Sequence, residues 1–459
     1  IPLRLVGSEM CIRDREKEKK SGPEPRRLDG GPVAGSGLNR SAASWSGSPA
    51  RSRSMRRTFS GVAQQFASQP SVPFAISVPT NATAPGEAWR RIGNRLRARG
   101  PAAPAGYGDP QGAVALRAAI AEYVRRSRSV RCDARQVIIT SGTQQGLYLA
   151  AHVLVGPHDS AWIENPAYRA LTGIFASMGR QMVRVAVDNE GLDVDAGRAR
   201  ARDAAAAFVT PSHQYPLGMP MSMPRRTALL DWAQTNGTWI VEDDYDAEMR
   251  YAGHPFPSLQ GLAREHVVYL GTFSKVLFPS LRLGYAIVPD PLVEPFLGAR
   301  ILIDRHPPTA EQHVLAAFID EGHLDRHIRR MRTVYADQRA HLVGLLQRLL
   351  PANLGRVQPC DQGMHMIVWL RDDADDRAVA AAARQHGVVA RPVSPMYAEG
   401  TKRQGLLLGF GGFTGPQIES AAHRLANVIE RSSKKRGTPK RCDGRAGASQ
   451  KDEGAHRTT

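Results

Sequence analysis

Cysteine is scarce. There are four in 459 residues, Cys11, Cys132, Cys360 and Cys442, and no CxxC pair among them. That scatter excludes a disulfide framework and a cysteine zinc site, and makes a reducing cytosol the natural compartment. Long apolar runs are missing as well. None approaches the ~20 residues that cross a bilayer, which excludes an integral membrane protein. No internal repeat and no convincing signal peptide are visible. The opening stretch IPLRLVGSEMCIRDR has no starting Met and reads as upstream read-through or an assembly scar, so it is set aside from fold reasoning. What is present is ordinary for a globular chain: 42% hydrophobic and 23% charged residues, incompatible with a wholly disordered chain or a collagen. At roughly 150 residues per domain, the length allows about three domains or one large α/β unit with a satellite.

The net charge of +18 suggests a nucleic-acid partner until it is located. Residues 1–60 carry 13 Lys/Arg against 6 Asp/Glu, and residues 431–459 carry 9 against 3. The 370 residues between hold 39 and 34, close to balance. The basicity therefore belongs to the ends, which are rich in Gly, Ser, Pro and Arg and bury too little apolar surface to offset the entropy of ordering. Such tails hold polyanions only loosely. Ordered chain is expected from near Phe74 to about residue 430.

Between the tails, apolar strands alternate with amphipathic helices. Asp109-Pro110 reads as a helix start, followed by Ala113, Leu116, Ile120 and Val124 on one face. A short strand, Val137-Ile138-Ile139-Thr140, runs into Ser141-Gly142-Thr143-Gln144 and another helix. Further strands are expected at 160–164, 182–187, 205–210, 238–243, 267–272 and 283–288, with helices at 167–178 and 224–236. Buried strands separated by helices indicate a mostly parallel sheet covered on both faces. From about 310 the pattern changes to a long helix at 322–350, strands near 364–370 and 405–410, and a helix at 373–386. That reads as a smaller α+β domain.

Three segments carry residues suited to chemistry. In Gly271-Thr272-Phe273-Ser274-Lys275, a lysine sits just past an apolar strand, where desolvation lowers its pKa and frees a nucleophilic amine. Arg282 lies seven residues on. Its planar fork suits a phosphate, and Thr272 and Ser274 add hydroxyl donors. Glu242-Asp243-Asp244-Tyr245-Asp246 ends a strand, where parallel sheets bind ligands. One carboxylate there suits a protonated ring nitrogen, although a solvated acidic turn or a metal cluster reads the same way. Ser141-Gly142-Thr143-Gln144 opens a helix whose free N–H groups suit phosphate. The basic helix 321–332 either touches DNA phosphates or is a solvated helix packing Leu324, Ile328 and Met331 inward. His323 and His327 on it have no acidic partner to make them a metal site.

Seven motifs in order, YGDPQG (107–112), SGTQQGL (141–147), ENPAY (164–168), TPSHQYPLG (210–218), EDDYDAEMRY (242–251), GTFSKVLFPSLRLGY (271–285) and EGHLDRHIRRMR (321–332), resemble the fold-type-I pyridoxal-phosphate proteins. Within these, the sequence is similar to the aminotransferase-like domain of the MocR subfamily of GntR-type transcriptional regulators, over roughly residues 74–430. The resemblance implies an α/β fold of the PLP-dependent transferase type I, with a mostly parallel central sheet flanked by helices and a smaller C-terminal α+β domain. The implied division is a tail at 1–73, a cofactor-binding domain at 74–309, a small domain at 310–430 and a basic tail at 431–459.

By position, the resemblance makes Lys275 the residue that forms the internal aldimine with pyridoxal 5'-phosphate. Asp243 would pair with the ring nitrogen and Tyr245 would contact the phenolic oxygen. Gly142, Thr143, Thr272, Ser274 and Arg282 would hold the phosphate, and Tyr168 would stack on the ring. His213 or Gln214 would replace the asparagine that ordinary aminotransferases offer the phenolic oxygen. Tyr107 would reach the phosphate of a neighbouring subunit, implying a homodimer with shared sites.

Two departures from the family pattern matter. Aminotransferases grip the substrate carboxylate with an arginine on a late strand, where this chain reads Gly405-Leu406-Leu407-Leu408-Gly409-Phe410, with Leu407 near the expected place. Another cation, such as Arg391, must serve or binding is weak. Full-length regulators also carry an N-terminal winged helix, and residues 1–70 show no such helical pattern. The expected function is a cytoplasmic effector-sensing domain that binds an amine or amino acid, with DNA contacted only through a winged helix not seen in this chain. The alternative is a working PLP-dependent aminotransferase moving an amino group between an amino acid and a 2-oxo acid.

Overall fold

The structure is a computed structural model that describes residues 50–66, 72–79, 86–98, 100, 106–254, 256–358, 360–398, 400 and 402–434. From Ser54 onward these pack as one unit. Eight strands form the main sheet: β1 (Val137–Thr140), β2 (Ser160–Asn165), β3 (Gln181–Asp188), β4 (Gly191–Leu192), β5 (Ala206–Val209), β6 (Trp239–Asp243), β7 (Val267–Thr272) and β8 (Gly284–Ile287). Their order is β1-β8-β7-β6-β5-β2-β3-β4. The run β7-β6-β5-β2-β3 is parallel. β8 is antiparallel to both β7 and β1, and β4 folds back on β3. The sheet thus has the expected parallel centre with antiparallel flanks. β1, β5, β7 and β8 are buried at every residue, which is why they read as continuous apolar runs rather than alternating ones.

Four further strands, β9 (Gly355–Gln358), β10 (His365–Leu370), β11 (Arg391–Pro392) and β12 (Gly405–Gly409), make a second sheet in the order β11-β12-β10-β9. Every pairing in it is antiparallel. The Asp376–Gln385 helix is capped by Asp375, whose carboxylate accepts from the Arg377 and Ala378 amides.

The core does not break at the expected boundary of 309/310. Leu116, Ile120 and Val124 share one cluster with Val314 and Phe318 of the Ala310–Asp320 helix. The same cluster continues through Leu324 and Met331 to Met366 and Leu408 of the second sheet. Ile328 and Met331 are buried as well, so the basic 321–332 segment packs its apolar face inward.

Two expectations need correction. Asp109 does not cap a helix. It closes a turn, its carboxylate accepting from the Gln111 amide at 2.8 Å and its carbonyl from the Gly112 amide at 2.9 Å. The helix starts at Val114 because Gly112 takes φ 102°, a left-handed conformation that ends the turn. The expected tail 1–73 also contains a helix, Ala50–Gln65. Its four arginines and Ser-rich start hid it, although Met55, Phe59 and Val62 recur at helical spacing and Ala, Arg, Met and Gln are good helix formers. Residues 1–49 and 435–459 lie outside the described residues. Phe74 is fully buried and bridges to Gly409 of β12.

Candidate cofactor and amine site

The carboxyl ends of β6 and β7 and the second sheet enclose a cavity of about 260 Å³. Lys275 lines it, together with Asp243, Tyr245, Asp246, Thr143, Tyr168 and Arg391. Lys275 follows β7 in a loop held by its own backbone. The Phe273 amide donates to the Leu283 carbonyl at 3.0 Å, and the Ser274 amide donates to Thr272 Oγ1 at 3.2 Å. Burial pushes the Lys275 ammonium down to about 8, against the upward pull of Asp246 and Asp243.

The acidic turn after β6 separates into distinct roles. Glu242 turns away from the cavity and accepts from the Leu259 and Gln260 amides, both at 3.0 Å. Asp244 is buried against Arg128 at 2.8 Å and accepts from the Tyr269 hydroxyl at 2.6 Å. Asp246 lies 3.0 Å from His213 Nδ1. Asp243 lines the cavity and keeps a buried oxygen, Oδ1, without a hydrogen-bond partner among the described residues, as Asp244 does with its own Oδ1 and Ser274 with Oγ. Burial and the neighbouring Asp244 raise the Asp243 carboxyl to about 7, while Lys275 pulls it down.

Gly142, at the start of the Thr143–Leu154 helix, has φ 85° and offers no side-chain cap. A Cβ there would meet the Arg282 guanidinium at 3.2 Å. Arg282 itself sits at φ 51° and donates to the Ser141 carbonyl. The helix start, Arg282 and the β8 entrance are therefore packed as one seat, with Gly284 close against the Gly142 backbone.

Not every expected side chain reaches the cavity. Gln214 is spent on the fold: its Nε2 donates to Glu164 at 3.1 Å and to the Pro166 carbonyl at 3.0 Å, and its Oε1 accepts from the Leu217 amide at 3.0 Å. His213 lies between Asp246 and Cys360 Sγ, which is 3.3 Å from Nε2, and stacks on His365 at 4.7 Å. Burial opposes its protonation, but Asp246 and Cys360 outweigh that and raise its pKa. The side chains this segment sends to the cavity are Thr210 and Tyr215, the latter one residue past Gln214. The Tyr245 hydroxyl donates to the His213 carbonyl at 3.0 Å. Tyr107 is 76% exposed, outside the cavity lining, with the Arg305 guanidinium 3.8 Å from its ring centre.

Sequence reasoning did not single out Asp246, His365 or Phe66, which the fold brings to the cavity from three distant segments. His213, Asp246 and His365 also hold ligand-type atoms within 4.8 Å of one another, a grouping invisible from spacing. His365 stays neutral, pushed down to about 3 by burial and by His213.

The family model for aminotransferase class I and II matches residues 74–424. The chain belongs to the aminotransferase class I and II family, on its MocR-type branch. The chain is 37% identical to the probable rhizopine catabolism regulatory protein MocR of Rhizobium meliloti, over 71% of this chain and 65% of that protein. It therefore spans somewhat less than two thirds of that relative's length. It is 32% identical to the HTH-type pyridoxine biosynthesis transcriptional regulator PdxR of Corynebacterium glutamicum, covering 74% of this chain and 73% of the relative. Among solved structures, the α-aminoadipate aminotransferase LysN of Thermus thermophilus, complexed with N-(5'-phosphopyridoxyl)-L-leucine, aligns with a TM-score of 0.72 at 27% identity, covering 79% of this chain and 92% of that one.

The family implies pyridoxal phosphate, and the residues of this aminotransferase-like chain fit it. The orphaned Asp243 Oδ1 and Ser274 Oγ, the uncapped helix start at Gly142 and the desolvated Lys275 amine offer a carboxylate, a hydroxyl, backbone N–H groups and a nucleophile. Those are the donors that a cationic ring, a phosphate and an aldehyde require.

Proposed function

We propose that this chain is the pyridoxal-phosphate-binding, amine-sensing part of a MocR-type transcriptional regulator. The observation that carries the reading is the buried pair within one cavity: a lysine with its amine pushed down to about 8 and a carboxylate with one oxygen unpartnered. When bound, pyridoxal phosphate supplies an aldehyde that captures amines and a ring that withdraws electrons. Lys275 offers the amine that attaches it and afterwards holds a proton at Nζ. Asp243 sets a negative charge against the ring nitrogen, which raises that nitrogen's basicity. Ser274, Arg282 and the Gly142–Thr143 backbone hold the phosphate, while Tyr168, Tyr215 and Tyr245 wall the cavity and exclude water. An incoming amine competes with Lys275, and the difference in contacts between the two states is the signal.

Support for a regulator rather than an enzyme comes from the relatives, which are regulators at 32–38% identity, and from Leu407, where the family pattern has a carboxylate-binding arginine. DNA contact would then belong to the part of those relatives that this chain does not match. The second reading, a working aminotransferase, is favoured by the same Lys275, because a group titrating near 8 is suited to proton transfer. We also assign a homodimer. Tyr107 stands exposed against Arg305, which ends the helix bearing the exposed apolar residues Ile301, Leu302 and Ile303, a surface suited to a second copy. No helix among the described residues is long and apolar enough to cross a membrane, in keeping with a cytoplasmic role.

The experiment is a titration of the cofactor-loaded protein with amines and amino acids, followed by absorbance, with 2-oxoglutarate or pyruvate then added. A spectral change that stops at a bound adduct supports the sensor. Multiple turnovers support the enzyme, and a spectrum that no amine moves defeats both.

A further inference from the structure

Three buried side chains with metal-ligand atoms meet at the edge of the Lys275 cavity: His213 after β5, Asp246 after β6 and His365 at the start of β10. One ligand-type atom of each lies within 4.8 Å of those of the other two. Asp246 and His365 line the cavity, which gives the cluster a way in. The hydrogen bonds around the two rings leave a nitrogen of each turned to this purpose. The Cys360 thiol donates to the Gly218 carbonyl at 2.9 Å, and its sulfur lies 3.3 Å from His213 Nε2. The sulfur accepts the Nε2–H, while Nδ1 faces Asp246, with Oδ1 at 3.0 Å and Oδ2 at 3.1 Å. His365 Nε2 lies 3.3 Å from the Pro216 carbonyl. That carbonyl takes the ring N–H, and the other nitrogen keeps its lone pair. A histidine whose second nitrogen donates to a backbone carbonyl is oriented as metal-ligating histidines are. An ion pair of His213 with Asp246 needs no third group, yet the fold fixes His365 there through the backbone pairing of β10 with Gly409 of β12. Gly363 closes the cluster at φ 76°, where a Cβ would overlap the His213 ring and crowd Asp246.

We propose that His213, Asp246 and His365 form a binding site for a divalent transition ion of the zinc class. Two imidazoles and one carboxylate are a ligand set for such ions, with a further coordination position left open. Bonds of about 2.0–2.2 Å set tetrahedral ligands roughly 3.4 Å apart, so atoms within 4.8 Å of one another need draw in by about 1 Å, a matter of side-chain rotation. The entering ion takes the place of the proton between His213 Nδ1 and Asp246, and that proton leaves to water. The open position is left to a water or to an anionic group in the cavity. The site needs no pyridoxal phosphate, so its failure would leave the amine-sensing reading untouched.

The test uses the full chain, stripped of metal by a chelator and free of cofactor, because imines of pyridoxal phosphate bind metal ions themselves. Zn²⁺ is titrated by calorimetry and Co²⁺ by visible absorbance. One ion should bind per chain with a Kd of about 1 µM or tighter. His365→Phe and Asp246→Asn should each weaken binding by about tenfold or more, the least that second-shell changes already cost. His423→Gln, exposed on the Gly415–Lys434 helix, should leave it in place. Cys360→Ser should leave it too, since a serine oxygen also accepts the His213 Nε2–H. The cobalt complex should show the visible bands of nitrogen and oxygen ligands and no thiolate charge-transfer band. That spectrum is read on the wild type, so it decides the ligand type even where a buried variant fails to fold, which circular dichroism checks. Zinc binding that survives both His365→Phe and Asp246→Asn belongs to other groups and overturns the site. A thiolate band, or a loss confined to Cys360→Ser, moves the ion to the other edge of the His213 ring and overturns this ligand set. A wild-type chain that takes up no ion at about 100 µM overturns the proposal outright.

Discussion

Arg391 and Leu407 are direct partners across the antiparallel pair of β11 and β12. The family pattern expects a carboxylate-binding arginine near Leu407, and the cation stands instead on the neighbouring strand. Cross-strand partners lie about 5 Å apart with side chains on the same face, so the charge is displaced by one strand while still reaching the cavity that Tyr215 lines. Arg391→Leu should weaken amino-acid binding by about tenfold or more, because a buried carboxylate would lose a charge-assisted bond. Adding Leu407→Arg to that variant should recover part of the loss. Titration of the cofactor absorbance with L-glutamate checks both. Unaltered binding in Arg391→Leu would show that this guanidinium does not face the ligand.

Lys275→Ala should yield a folded protein that no longer retains pyridoxal phosphate through borohydride reduction and acid precipitation. The residue lies in a loop closed by the Phe273 amide on the Leu283 carbonyl and the Ser274 amide on Thr272 Oγ1, and is not part of the apolar core. Loss of its side chain therefore costs little stability. Mass spectrometry of the reduced protein decides the point. A phosphopyridoxyl adduct surviving on the variant would move the assignment to another amine.

The rate of cofactor attachment should rise with pH and level off above about pH 8. Only the neutral amine attacks an aldehyde, and burial brings Lys275 down to about 8 from its ordinary value near 10.5. Stopped-flow mixing of the cofactor-free protein with pyridoxal phosphate measures this. A rate still climbing at pH 10 would mean that the amine is solvated rather than desolvated.

The strands and most helices were legible in the sequence because burial on both faces leaves a plain apolar signature. β7 is expected at 267–272 and found at Val267–Thr272, and the long helix expected at 322–350 is His323–Leu349. Lys275, Asp243 and Tyr245 were legible because motifs place them at strand ends. Tyr215 was not, because in a loop a shift of one residue decides which side chain turns inward, and Gln214 is bonded into the fold while Tyr215 lines the cavity. Nor was a neighbouring cavity of about 370 Å³, since its wall joins Arg169, Arg391 and Gln64 from three segments that only the fold brings together. The Ala50–Gln65 helix escaped because its Arg- and Ser-rich composition masked a short apolar row, Met55, Phe59 and Val62, of which Val62 packs near Gly173.

Arg282→Ala should weaken retention of the cofactor far more than Arg329→Ala. Arg282 packs on Gly142 and donates to the Ser141 carbonyl, so its guanidinium belongs to the seat at the helix start. Arg329 is exposed on the long basic helix. A bidentate guanidinium on a phosphate is among the stronger polar contacts available. Dialysis followed by absorbance gives the comparison, and equal losses from the two variants would remove Arg282 from the phosphate seat.

The cofactor-free protein should lose stability as the pH rises from about 4 to 7. Burial raises Glu164, Glu242, Asp243 and Glu248 each to about 7, while the unfolded chain titrates them near 4. Across that window the folded state binds more protons than the unfolded one, so stability falls with rising pH. Lys275 does not oppose this, since its depressed pKa acts only above about 8; His365, pushed down to about 3, does oppose it up to about pH 6.5, one group against four. A cationic ring beside Asp243 favours its ionised form and removes that residue's share of the penalty. Thermal unfolding at pH 5 and pH 8 should therefore show a smaller drop with pyridoxal phosphate than without it. Asp243→Asn should flatten the cofactor-free profile in the same way. If the variant and the wild type share one pH profile, Asp243 is already ionised or paired in the empty cavity, and the orphaned oxygen at the centre of the site has another partner.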